Sequence, residues 1–248
     1  VGTNGKYSTI QAIRAILKDA NINCNIYTSP HIQKINERYE YNNEKISDDK
    51  LSKLLLKVKE INNNDAITYF EILTAAYFYE ANKYKDNINI IEAGLFHRFD
   101  ATNIIKSNLA SIVTAIGLDH LDWLPKNEQT IDKIIFEKTS SLLTSKIIVS
   151  KQSSNEIIDK IKDSIKKNYS NQLIFGNDFN YSLNENGFFY YEDRYGGLKL
   201  PLPNLEGEFQ LSNVATAIAT VRNIDEINVS DENIKNGITK IKSIARFQ

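Results

Sequence analysis

Residues 88–94 read INIIEAG and residues 109–117 read LASIVTAIG. Each is a short apolar run without polar alternation, the pattern of a strand covered on both faces, and each stops where polar residues begin. Working outward, Ile10, Ile13, Ile16 and Leu17 recur at helical spacing and lead into NCNIYT (23–28), a short strand. Ser47, followed by Asp48 and Asp49, reads as the cap of a helix carrying Leu51, Leu54, Leu55, Val58 and Ile61. TYFEILTAAYFYEAN (68–82) is again helical. Beyond the second run come a helix at about 130–143, a strand KIIVS (146–150), a helix with Ile157, Ile158, Ile161 and Ile165, and a strand QLIFG (172–176). This alternation predicts an α/β fold, a mostly parallel sheet flanked by helices on both faces. The stretch 181–202 breaks the pattern: short strands joined by Asn/Gly and Gly-Gly turns predict a small antiparallel β addition. Helices at about 209–222 and 231–241 follow, and no repeat, low-complexity linker or internal boundary is visible.

The 248 residues are 42% hydrophobic, enough for a substantial core. Thirty Lys and Arg against 31 Asp and Glu leave a net charge of -1, so no global field draws the chain to nucleic acid or to an acidic membrane. Any anion must be bound locally. The single cysteine, Cys24, rules out an internal disulfide framework and suits a reducing compartment, so we expect a cytoplasmic protein. No apolar run approaches the roughly 20 residues of a spanning helix. The chain holds no methionine and starts inside a motif, and it reads as a piece of a longer polypeptide.

Three places concentrate chemistry. The opening VGTNGKYST (1–9) reads either as a phosphate loop or as a turn before a helix. As a phosphate loop, its glycines let backbone N–H groups approach an anion, Lys6 supplies charge, and Ser8 or Thr9 starts a helix whose N-terminus favours anions, with Ser8 available to magnesium. Tyr7 separates Lys6 from Ser8, so the match to GxxxxGK[ST] is imperfect. Glu92 ends the apolar run INII, at the sheet edge where open α/β sheets bind ligands, and reads either as a magnesium ligand or as an ion-paired strand end. The polar loop GLFHRFDATN (94–103) follows, with Arg98, Asp100, Thr102 and Asn103 suited to substrate or phosphate contacts or to a hydrogen-bonded structural loop. Asp119-His120 follows the second run, and His120 is a metal ligand, an acid/base group or a structural histidine. Ser8, Glu92 and His120 are all expected at one edge of the sheet.

Taken in order, GTNGKYST, YTSPH (27–31) with NER (36–38), IIEAGLFHRFDATN, GLDH (117–120) and FEK (136–138) resemble folylpolyglutamate synthase and dihydrofolate synthase, the folate branch of the Mur ligase superfamily. The likeness runs from residue 1 to the ARFQ end, and the SPH…NER and DATN segments favour the folate branch over the cell-wall ligases. It implies a P-loop NTPase-like central domain over 1–241 and a linker at 242–248. It also implies an upstream segment carrying a first strand, and a C-terminal Rossmann-like domain. The activity implied is ATP-dependent: a carboxylate of dihydropteroate or tetrahydrofolate is phosphorylated to an acyl phosphate, and the amine of L-glutamate attacks it to form an amide. By position, the resemblance assigns Thr3, Asn4, Gly5, Lys6, Ser8, Thr9, Gln210, Asn213 and Arg246 to ATP, and Ser8, Glu92 and His120 to Mg2+. Lys138 stands where the family often carries a carbamylated lysine beside a second ion, so Lys6, His120 and Lys138 are the implied catalytic set. Ser29, Pro30, His31, Asn36, Arg38, Arg98 and Asp100 fall to the folate substrate. A monomer is expected, with neither nucleic acid nor membrane as partner.

The departures are specific. Tyr7 occupies a position that is usually glycine, Phe96-His97 replaces a Gly-Gly pair, EKTSS (137–141) stands for EKAGI, and Phe209 stands where histidine is expected. They motivate a second reading, a nucleotide-binding module without ligase activity, and a third is a cell-wall Mur ligase. The retained Lys6, Ser8, Glu92, Asp119, His120 and Lys138 favour a working enzyme. These 248 residues alone are expected to bind nucleotide weakly without turning over.

Overall fold

The computed structural model describes residues 1–105, 107–142, 146–165, 171–184 and 187–242. In chain order the elements are α1 (Lys6–Asp19), β1 (Cys24–Tyr27), β2 (Tyr39–Tyr41), β3 (Glu44–Lys45), α2 (Asp48–Asn62), α3 (Tyr69–Ala81), β4 (Ile88–Ile91) and β5 (Ser111–Val113). There follow α4 (Ile131–Thr139), β6 (Lys146–Val149), α5 (Asn155–Ile165), β7 (Asn171–Ile174), β8 (Phe179–Leu183), β9 (Phe189–Asp193), β10 (Gly196–Leu200), α6 (Glu208–Asn223) and α7 (Asp231–Thr239).

Helix starts follow local chemistry. Ser47 accepts from Lys50 N–H at the head of α2, with Asp48 and Asp49 in its first turn. Thr68 and Glu71 form a reciprocal capping box on α3, and Thr130 accepts from Lys133 N–H on α4. The sequence reading passes over the β2–β3 hairpin, although its signal is present: Asn42 and Asn43 both take positive φ, 54° and 67°, as a two-residue hairpin turn requires.

Parallel strands form two groups. β1 pairs in parallel with β4, and β2 and β3 extend that sheet antiparallel in the order β3-β2-β1-β4. β5, β6 and β7 form a second, wholly parallel sheet, and β8–β9–β10 form the expected antiparallel addition. Helices cover both faces. On β1, Cys24 and Ile26 join the core beneath α1, α6 and α7, whereas Tyr27 joins the core beneath α2 and α3. On β6, Ile148 faces that first core while Ile147 and Val149 pack with α4 and α5.

INIIEAG differs from expectation. Only Ile88–Ile91 is strand, and of these Ile90 is buried, Ile88 and Ile91 are half-buried and Asn89 is exposed. LASIVTAIG likewise narrows to Ser111–Val113. The reason is that β4 and β5 do not pair: between them lies a cavity of about 630 Å3, lined in part by Ile88, Ile90, Ile112, Ile10 and Ile13. Val1 enters this slot beside β5, its amine donating to Ile112 O at 2.8 Å and its carbonyl accepting from Thr114 N–H at 2.9 Å.

Candidate active site

The opening loop is stitched to the end of β5. Thr3 and Asn4 N–H both donate to Ala115 O, at 2.8 and 3.1 Å, and the Thr3 hydroxyl donates to Gly117 O while accepting from Gly117 N–H, both at 3.1 Å. α1 then begins at Gly5, in the left-handed region at φ 86°, without a side-chain cap and without an acidic residue in its first turn. A Cβ at Gly5 would lie 2.2 Å from Asn213 Oδ1, so only glycine lets the start of α6 press on this loop. Asn213 also donates to Gln210 Oε1 at 2.9 Å. Lys6 curls back over its own loop, its ammonium donating to Gly2 O at 2.9 Å and Thr3 O at 3.3 Å. Ser8 lines a groove of about 430 Å3 together with Asn4, Gly5, Tyr7, Gln210 and Asn213. Thr9, by contrast, is buried and faces the slot between β4 and β5.

Lys138 comes from α4 and is 1% exposed. Its ammonium donates to Leu95 O at 2.6 Å and to Gly2 O at 3.3 Å, the carbonyl that Lys6 also uses. Burial, reinforced by the nearby Lys6 charge, lowers its pKa to about 8. Glu92 follows β4, 4% exposed; its carboxylate accepts from Ser29 N–H at 2.9 Å, and it shares the lining of the β4–β5 slot with Lys6. His120 takes φ 54° and sets Nε2 3.0 Å from Asp119 Oδ2. Burial lowers its pKa and outweighs Asp119, which favours the neutral imidazole that a metal ligand or proton acceptor must be.

The 28–38 loop is braced from within. Arg38 Nε donates to His31 Nδ1 at 3.0 Å, and Asn36 donates to Ile46 O and to Asp48. Glu37 accepts the N–H groups of Ile32, Gln33 and Lys34. Asn36 and Arg38 are therefore buried, while Ser29 and His31 are half-buried and Pro30 is exposed. The 94–103 loop is braced too. Arg98 forms a two-pronged pair with Glu137, both contacts 2.8 Å, and its guanidinium lies over the rings of Phe99 and Phe136. Asp100 accepts from Gly94 N–H at 3.0 Å and from Thr102 N–H at 2.9 Å.

Around Gly2 the structure thus gathers Lys6 and Lys138, with His120 within electrostatic reach of both, and it brings Glu92 to the 28–38 loop through Ser29. Arg98 and Asp100 spend their polar atoms on their own surroundings. Arg246, and the linker from 243 onward, lie outside the described residues. Among the described residues, no group of three or more His, Cys, Asp or Glu side chains is arranged to hold a metal, and no helix is long and apolar enough to cross a membrane.

Further lining residues escape the sequence reading. Lys151 and Gln152 follow β6 and, with Tyr181 and Phe209, line the groove beside Ser8. Gln152 accepts from Ile116 N–H at 2.9 Å and donates to Ser150 O at 3.0 Å, tying the ends of β5 and β6 together. Their position just after a parallel strand is the signal that pointed to Glu92 and His120. Tyr181 comes from the antiparallel addition and has no such signal.

The sequence matches the Mur ligase middle domain over residues 1–221. It is 29% identical over 248 residues to the dihydrofolate synthase/folylpolyglutamate synthase of Escherichia coli, covering 100% of this chain and 56% of that protein. Among solved structures it resembles E. coli FolC in complex with DHPP and ADP, with a TM-score of 0.87 and 29% identity over 100% of this chain and 57% of the other. It also resembles the bifunctional folylpolyglutamate synthase/dihydrofolate synthase from Yersinia pestis complexed with AMPPNP and Mn ion, with a TM-score of 0.86 and 29% identity over 100% of this chain and 58% of the other. The chain spans just over half the length of these relatives.

Proposed function

Since the chain belongs to the Mur ligase middle-domain family, we propose that it is the ATP-binding part of a ligase that joins L-glutamate to the carboxylate of a folate or of dihydropteroate. The observation that carries this reading is the paired ammonium groups of Lys6 and Lys138 on the carbonyl of Gly2, beside a helix start that has no cap of its own. An uncapped helix N-terminus with two cations suits a polyphosphate, whose charge they balance as a phosphoryl group transfers.

The residues fit the nucleotide and a divalent cation. The N–H groups at Gly5 and Lys6 would hold phosphate, and the carboxamides of Gln210 and Asn213 would meet the rest of the nucleotide in the groove. The Ser8 hydroxyl, the Glu92 carboxylate and the neutral His120 imidazole form a hard donor set suited to Mg2+ or Mn2+. Such an ion neutralises phosphate charge. Lys6 and Lys138 orient the phosphate, and the 28–38 loop, fixed to Glu92 through Ser29, presents the folate-type carboxylate. Acyl transfer then proceeds by attack of the glutamate amine, forming the C–N bond as phosphate leaves. Ser29, Pro30 and His31 have the exposure to touch this substrate, with Asn36 and Arg38 shaping the loop beneath them.

The E. coli relative binds DHPP and ADP, and the Yersinia relative AMPPNP and manganese. Because the chain covers just over half of them, we assign turnover to the full-length protein, acting as a cytoplasmic monomer. A parallel strand entering at Val1 would fit the slot between β4 and β5, and a domain beyond residue 241 would close the groove. A carbamate on Lys138 with a second ion is the remaining implication of the family resemblance and is taken up below.

The test is phosphate release by the full-length protein with ATP, magnesium and glutamate, alone or with dihydropteroate or tetrahydrofolate. Release stimulated by either substrate is expected. ATP binding without stimulation by either would favour the non-ligase module instead.

A further inference from the structure

We propose that Phe96 holds Lys138 in its ammonium form and blocks its conversion to a carbamate, so that Lys138 serves the site as a cation. The inference rests on reading Lys138 as a residue of the phosphate site. An ammonium has three N–H donors, and all three directions are taken. One points to Leu95 O at 2.6 Å, one to Gly2 O at 3.3 Å, and the Phe96 ring centroid lies 5.3 Å from Nζ, within cation–π range. Two carbonyl oxygens and a ring face are electron-rich surroundings, which favour a cation and repel an anion.

Carbamylation would reverse that complementarity. The neutral amine attacks the carbon of CO2, an N–C bond forms, and one amine proton leaves to solvent. The product is an anionic carbamate with a single N–H. It would aim acceptor oxygens at Leu95 O, Gly2 O and the ring, and would forfeit the bonds that the ammonium makes.

Phe96 has little room to move aside. Its ring stands edge-on to His120, with centroids 6.2 Å apart and an interplanar angle of 85°, and it packs against the core beneath α4 and α5. The ring matters because acidity alone would leave the amine available: a pKa of about 8 provides some neutral amine near pH 7. With glycine at 96, as the family resemblance implies, the third direction from Nζ would be open to CO2.

The experiment uses the full-length protein equilibrated with 13C-bicarbonate, reading carbamate carbon by 13C NMR and by intact mass after chemical trapping. The wild-type protein is expected to carry no carbamate at Lys138. Phe96→Gly is expected to gain one, and the Phe96→Gly, Lys138→Arg double variant to lose it again. A carbamate at Lys138 in the wild-type protein would overturn the proposal without recourse to any variant. So would a Phe96→Gly protein that stays unmodified, or a signal that survives Lys138→Arg. None of these readouts needs turnover, so failure of the ligase reading would show separately, as wild-type phosphate release that folate substrates do not stimulate.

Discussion

Lys6, from the first turn of α1, and Lys138, from the last turn of α4, donate to the same acceptor, the carbonyl of Gly2, at 2.9 and 3.3 Å. Two ammonium groups on one carbonyl repel each other, and the repulsion is part of what lowers the Lys138 pKa to about 8 after burial. An anion between them removes the conflict. Lys6→Ala in the full-length protein is therefore expected to cut kcat/KM by about 100- to 1,000-fold, the scale of losing one preorganised charge-stabilising donor. The melting temperature should hold or rise, since a like charge has gone. Steady-state phosphate release together with thermal melting checks both halves, and an unaltered rate would show that the opening loop does not touch phosphate.

Gly5→Ala tests the seat of that loop. The substitution forces a left-handed residue, costing about 1–2 kcal/mol, and sets a methyl 2.2 Å from Asn213 Oδ1. Loss of ADP affinity by titration calorimetry is expected, with a drop in unfolding free energy in urea. Pushing Asn213 aside opens the groove as well, so affinity should suffer more than stability.

His97 makes the protein acid-labile. Burial lowers its pKa from 6.5 to about 4 in the folded state, where Nδ1 sits 2.9 Å from Ser141 Oγ. As pH falls from 6.5 towards 4, the unfolded chain takes up this proton and the folded one does not. The stability that His97 supports is thus complete above pH 6.5 and is lost through that window. His97→Gln should lose less melting temperature between pH 7 and pH 5 than the wild-type protein, and equal losses would contradict the assignment.

Arg98→Ala tests whether that arginine serves the fold first. Burial disfavours the Glu137 charge, but the hydrogen bonds from Arg98 and Lys133 outweigh it and hold its carboxyl below the usual glutamate value. That contribution is present above the ordinary glutamate range and disappears as pH falls through the folded-state value. Because Arg98 is partly exposed and Lys133 remains 3.3 Å from Glu137, the substitution should cost about 1–3 kcal/mol at pH 7 and less at pH 4, measured by urea unfolding. A large rise in KM for the folate substrate with unchanged stability would instead mean that Arg98 meets ligand directly.

Much of the fold was legible because its signals are local. The caps at Ser47 and Thr68 act on N–H groups three residues on, and the apolar stripes of α2 and α5 repeat within one turn. The runs INII and KIIV read as strands from composition alone. What they pair with did not. INIIEAG looked covered on both sides because its residues are apolar, yet β4 hydrogen-bonds only to β1, since pairing depends on which strand arrives beside it. For the candidate site, residue type marked Lys6, Glu92, His120 and Lys138 but gave no warning that Arg98 would be taken by Glu137, or Asp100 by Gly94 and Thr102.

The sequence by itself determined the order of strands and helices, the helix starts and the phosphate-loop chemistry of GTNGKYST, because each depends on neighbours within a few residues. Only the tertiary structure decided that Asn213 would press on Gly5, that the hairpin at 181 would wall the groove, and that Lys6 and Lys138 would share one carbonyl while Phe96 closed over the second. Those outcomes follow from long-range packing, in which a buried polar atom takes whichever partner the fold brings within reach, and no local pattern in the chain records that choice.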